Sequence, residues 1–132
     1  MAQIELFPNE QILKQGPVQM GLKKGTGYLT NMRFALYART NTMFFFGLIG
    51  ELIAQIIMRP VLTAEFQLTS LTRIEQQKIG FNGNYFKCIL NDGTEYLFAA
   101  NYKQWMEAFP QALANQNLRL VPIDQKSWAV QA

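Results

Sequence analysis

The chain has 132 residues, a net charge of +3 and 16% charged residues, which suits one domain with one core and falls well short of a histone-like or ribosomal balance. It has no His and a single Cys. That excludes Ser-His and Cys-His catalysis, imidazole or multi-Cys metal sites, a histidine pH switch and an internal disulfide.

Residues 1–10 are mixed in character, carry Pro8, and read as a lead-in. They have neither a basic n-region nor an apolar h-region, so no signal peptide is visible and the cytoplasm is the expected compartment. Strand character begins at Ile12-Leu13-Lys14, and Gln15-Gly16-Pro17 signals a turn or bulge. Val18 to Leu22 alternates with period two, and Lys23 to Gly27 reads as the next turn. Two short strands follow, Gly27 to Thr30 and Arg33 to Arg39.

The run 43–58 is unlike the rest: twelve of its sixteen residues are apolar, and Arg39 and Arg59 bracket it. Gly47, Glu51, Gln55 and Arg59 recur every fourth residue, one narrow stripe on an otherwise apolar helix. Thr40, Asn41 and Thr42 are candidate caps, and Pro60 stops the helix. Each large side chain gains roughly 1.5–3 kcal/mol by burial, so this surface needs a cover: its own core, a second subunit or lipid. A span is disfavoured. Sixteen residues rise about 24 Å against a hydrocarbon core of about 30 Å, and Glu51 would sit near the middle.

Strand signals resume at Ala64 to Leu68, turn at Thr69-Ser70-Leu71, and continue over Thr72 to Ile79. Gly80 to Asn84 contains Asn-Gly and Asn91-Asp92-Gly93 contains Asp-Gly, two hairpin signals around the strand Tyr85 to Leu90. Thr94 to Phe98 is the next strand, and Cys88 reads as a buried small hydrophobe. The period then changes. Asn101 with Gln104 resembles a capping box, and Trp105, Phe109 and Leu113 fall four apart beside Ala108 and Ala112. Pro110 is expected to kink or split this helix. Leu118 to Pro122 reads as a short extra strand within a tail over 117–132.

The pattern predicts a mainly β domain over 11–116: about seven antiparallel strands in a bent sandwich or barrel, an apolar helix inserted between strands 3 and 4, and a C-terminal helix. Residues 25–37, Gly-Thr-Gly-Tyr-Leu-Thr-Asn-Met-Arg-Phe-Ala-Leu-Tyr, resemble the Leu-Thr-Asn-x-Arg signature of GRAM-like and bacterial PH-like domains. Phe66 to Glu75, Asp92 to Phe98 and the Trp-bearing helix resemble later segments of that family in the same order. Ser70 stands where the family has an acid, and the apolar run stands where it has a plain loop. The resemblance implies a PH-like fold and an anionic headgroup site at Lys14, Lys23 and Lys24; their alternative role is a solvated, aggregation-blocking strand edge. Arg33, inside the signature, is expected to pair with turn carbonyls or a carboxylate.

No catalytic constellation or cofactor motif is present, and Gly25-Thr26-Gly27 is not a phosphate loop. Nucleic acid is not an expected partner. The expected function is a non-enzymatic binding or assembly module that self-associates through Phe44, Phe45, Phe46, Leu48, Ile49, Leu52, Ile53, Ile56 and Ile57. The alternative is peripheral binding to an anionic membrane at its inner face through the same residues plus a basic patch, with Arg39, Arg59 and the Lys23–Lys24 pair near headgroups. A third reading buries the helix in its own core.

Overall fold

Alternation along each strand decides which side faces the core. In β6 (Asn82–Leu90), Phe86, Cys88 and Leu90 point inward, and in β4 (Val61–Gln67) Ala64 and Phe66 do so. The computed structural model describes residues 4–40, 60–79 and 82–132. The apolar run 43–58, where an inserted helix is expected from the sequence, lies outside them.

The other strands are β1 (Ile12–Met20), β2 (Lys23–Thr30), β3 (Arg33–Thr40), β5 (Leu71–Ile79), β7 (Glu95–Ala99), β8 (Arg119–Asp124) and β9 (Ser127–Gln131). Neighbours are antiparallel in one open sheet, ordered β4-β3-β2-β1-β7-β6-β5-β9-β8. The expected count of about seven is thus corrected to nine among the described residues, and their sheet is open, not a closed barrel. The helix α1 (Tyr102–Ala114) is not the last element, because the β8–β9 hairpin follows it and docks on β5 at Arg73↔Ala129 and Ile74↔Trp128. Trp128 also meets the ring of Tyr102, which fixes the hairpin against the start of α1.

Four local expectations shift. Gln15-Gly16-Pro17 does not turn, since β1 stays paired with β2 from Gly16↔Gly27 to Met20↔Lys23. The reversal falls on Gly21-Leu22 and not on Lys23 to Gly27, which belong to β2; Gly21 takes φ +61°, as the first central residue of a type II′ hairpin does. The β5–β6 pairing runs on to Ile79↔Asn82, past a register shift between Gln77 and Ile79, so Asn82-Gly83 begins β6 and is not the turn. Pro110 does not split α1: it is exposed on the outer face of an unbroken 13-residue helix. An interior Pro costs about 3 kcal/mol, and burial of Trp105, Phe109, Ala112 and Leu113 on the opposite side outweighs it. The Asn101 side chain caps Gln104 N–H, as the sequence suggests.

Phe34 is the centre of the core. Its ring lies 4.9 Å from Phe98, 5.5 Å from Phe66, 5.7 Å from Trp105 and 6.4 Å from Phe109, centroid to centroid. Both sheet edges are blunted. A bulge falls at Thr63 in β4, whose hydroxyl donates to Val61 O at 2.9 Å. Edge strand β8 carries Pro122 and its own bulge before Asp124.

Candidate functional site

Five cations occupy residues 11–40 without one acid, and the fold sorts them. Arg33 is structural. Its Nε and Nη2 donate to the two oxygens of Glu10 at 2.9 and 3.1 Å, and Nη1 donates to Glu65 at 2.8 Å. The guanidinium also lies 4.4 Å from the Phe7 ring centroid. Thr30 Oγ1 donates to Glu10 Oε2 at 2.6 Å and accepts the N–H groups of Met32 and Arg33. Asn31 Oδ1 accepts Gln11 N–H, and its amide donates to Asn9 O. The Thr-Asn-x-Arg motif therefore clamps the lead-in to the β2–β3 hairpin. Burial alone would raise the Glu10 carboxyl, but hydrogen bonds from Arg33, Thr30 and Phe7 N–H hold it below its ordinary range. The hydrogen bond to Glu10 likewise raises Arg33.

Lys14 points elsewhere. Its Nζ lies 5.3 Å from the Trp105 ring centroid and donates to Gln104 Oε1 at 3.4 Å. It stands six residues along β1 from Met20, the partner of Lys23, so about 20 Å separates it from the Lys23–Lys24 pair. The structure does not bring the three lysines together.

It does bring Lys23 and Lys24 to Arg39. Lys24 faces Arg39 directly across β2–β3, and all three are exposed with no ion pair among the described residues. Like charges directly opposite one another repel. Apolar side chains share this end of the sheet: Leu22 at the turn is 76% exposed, and Val61 and Leu62 at the start of β4 are 60% and 48% exposed. Lys23 pairs with Thr40, and Ala38 with Val61, so both roots of the run 43–58 leave the sheet here. The interface candidates from Phe44 to Ile57 lie outside the described residues.

A half-open slot of about 300 Å³ opens beside Lys24. It lies where the two halves of the sheet are joined by a single pair, Gln19↔Ala99. Pro17, Val18, Gln19, Gly25, Ala99 and Ala100 line it, with exposed Lys24 and Asn101 bordering it. Small side chains create the space. Gly25 must be glycine, because a Cβ there would stand 1.9 Å from Tyr37 O.

Sequence reasoning missed Glu10, the exposed Leu22 and the slot. The only available signal for Glu10 was an acid just ahead of a strand in a lead-in otherwise rich in apolar residues. Among the described residues no three His, Cys, Asp or Glu side chains are grouped to hold a metal, and no helix is long and apolar enough to cross a membrane.

No family model and no curated protein matches this chain. Among solved structures, the linker-DH/PH region of p115-RhoGEF matches with TM-score 0.54 at 14% identity. An N-terminally truncated form of that region matches with TM-score 0.54 at 15% identity. Each match covers 88% of this chain and 32% of the other, so this chain spans about a third of the length of the proteins it resembles. The likeness shows a PH-like fold; the resemblance to GRAM-like domains rests on the sequence motifs.

Proposed function

We propose that this chain is a non-enzymatic PH-like binding module that docks on an anionic membrane surface through the Lys23–Lys24 end of its sheet. The observation that carries the reading is the meeting of three exposed cations, Lys23, Lys24 and Arg39, without an ion pair among the described residues, with exposed Leu22, Val61 and Leu62 at the roots of the apolar run. Cations suit anionic headgroups, and an apolar tip gains by entering the acyl boundary. The run 43–58 would enter the same leaflet.

Self-association through 43–58 is the second reading. Glu51 and Gln55 on its polar stripe favour it, since a membrane-surface helix carries Lys or Arg there. Against it, a two-fold contact through this end would set cations against cations.

Vesicle co-sedimentation tests the proposal. The full chain should pellet with phosphatidylserine-containing vesicles, weakly with neutral ones, and less as salt rises. Each cation near the surface contributes about 1 kcal/mol, so Lys23→Ala with Lys24→Ala should weaken binding by about thirtyfold. No pelleting at low salt removes the membrane reading. A multi-subunit mass by light scattering that holds on dilution, and falls with Ile53→Asp, supports self-association instead.

A further inference from the structure

We propose that the slot between β1 and β7 binds one unbranched acyl chain carrying an anionic head. The wall is mostly hydrocarbon, from the Pro17 ring, the Val18 methyl groups, and Ala99 and Ala100, with Gln19 and Asn101 adding polar groups. A volume of about 300 Å³ sits at the small end of ligand pockets, which suits a single slender chain better than a fused ring system. The seam cannot easily close on itself. β1 and β7 share one backbone pair, and Pro17 has no N–H with which to extend the ladder toward β7. The opposite wall presents bare backbone at Gly25, where the close approach of Tyr37 O forbids a side chain.

Charge selects the head. Lys24 lines the slot, Arg39 stands opposite it across β2–β3, and Lys23 is its neighbour in the chain. No acid lies in residues 11–40 to neutralise them. A carboxylate or phosphate at the mouth would relieve their mutual repulsion while its chain covers the apolar wall. A cationic or uncharged head would gain only the second term. The ligand class therefore follows from two independent features, a mostly apolar lining and a cationic rim without an ion pair among the described residues. This inference deepens the membrane reading and rests on it only for the source of the ligand, a bilayer lipid rather than a free fatty acid.

The experiment is calorimetric titration of the full chain with monomeric decanoate, paired with decyltrimethylammonium, and amide NMR on the same samples. Saturable one-to-one binding of decanoate is expected, with shifts centred on Val18, Gly25, Ala99 and Ala100. The cationic amphiphile should bind at least about tenfold more weakly. Lys24→Glu should lose decanoate affinity, and Ala100→Leu, which fills the slot, should weaken it by about tenfold or more. If Ala100→Leu does not fold, the NMR map on the wild-type chain decides the location. Absence of saturable binding, equal affinity for both heads, or shifts lying away from the seam overturns the proposal. Excess decanoate that reduces vesicle pelleting identifies the bilayer lipid as the source. Undiminished pelleting, or decanoate binding without any pelleting, identifies a free amphiphile, the latter while removing the membrane reading. Pelleting without decanoate binding removes the slot alone.

Discussion

Arg33 and Glu10, 23 residues apart, meet through paired hydrogen bonds of 2.9 and 3.1 Å, with the Glu10 side chain fully buried and Arg33 nearly so. The pair ties the lead-in to the β2–β3 hairpin. Removing one partner of a buried pair costs about 3–5 kcal/mol, and the low end applies because Arg33 keeps Glu65. Glu10→Gln should therefore lose about 3 kcal/mol in denaturant unfolding at pH 7. The pH dependence has a definite sign. Folding holds Glu10 below its ordinary 4.5, so its contribution is complete above that value and is lost as pH falls through the lower folded value. The wild type should lose stability on acidification below that point, and Glu10→Gln should lose less. Asp92 and Asp124, also lowered by hydrogen bonds, leave a residual slope. Equal acid sensitivity of wild type and variant would count against the buried pair.

Gly25 and Gly27 separate two kinds of crowding. A Cβ at Gly25 meets backbone, Tyr37 O at 1.9 Å and the Ala38 Cα at 2.5 Å, and neither can move without breaking the β2–β3 ladder. A Cβ at Gly27 meets Val18 Cγ2 at 2.7 Å, a side-chain methyl that can rotate away. Gly25→Ala should thus be the more damaging of the two, by at least about 1 kcal/mol in chemical denaturation. The reverse order would mean that the two strands do not approach at Gly25 as described.

Local periodicity makes most of the elements legible in the sequence alone. Glu65-Phe66-Gln67 and Phe86-Lys87-Cys88 alternate, and Trp105, Phe109 and Leu113 mark one helix face, because each pattern is set within a few residues. What was not legible depends on distant partners. Glu10 looks like a loop acid until Arg33 is brought beside it. Lys14 looks like a companion of Lys23 until Trp105 captures it 5.3 Å away. The β8–β9 hairpin was only half visible, since Pro122 and a short tail give little pattern and its anchor, the Trp128–Tyr102 contact, crosses from the helix. The slot had no sequence signal, because it arises where β1 and β7, distant in the chain, share one pair beside the small Ala99 and Ala100.

Cys88 is fully buried, and burial pushes its thiol far above the ordinary cysteine range. It should stay a thiol and resist labelling by a water-soluble disulfide reagent until the chain unfolds. Labelling kinetics in increasing denaturant should follow the unfolding transition. Rapid labelling of the native protein would place Cys88 outside the core, and with it the register that sets Cys88 opposite Ile74 and Tyr96.

The two outer strands restrain how copies of this chain can meet. An open sheet invites strand addition at its ends, yet β4 turns its edge with the Thr63 bulge and β8 carries Pro122. Edge pairing is therefore disfavoured, and self-association would have to use another surface. Pro122→Val tests this. Pro122 is exposed, so its replacement should leave the melting temperature within a few degrees while removing one of the guards on β8. The variant should show a mass by light scattering that rises with concentration more steeply than the wild type, and thioflavin-positive aggregates on warming. If its mass and aggregation match the wild type up to high concentration, Pro122 does not guard that edge. The Ile123 bulge and the charged ends Arg119 and Asp124 would then suffice.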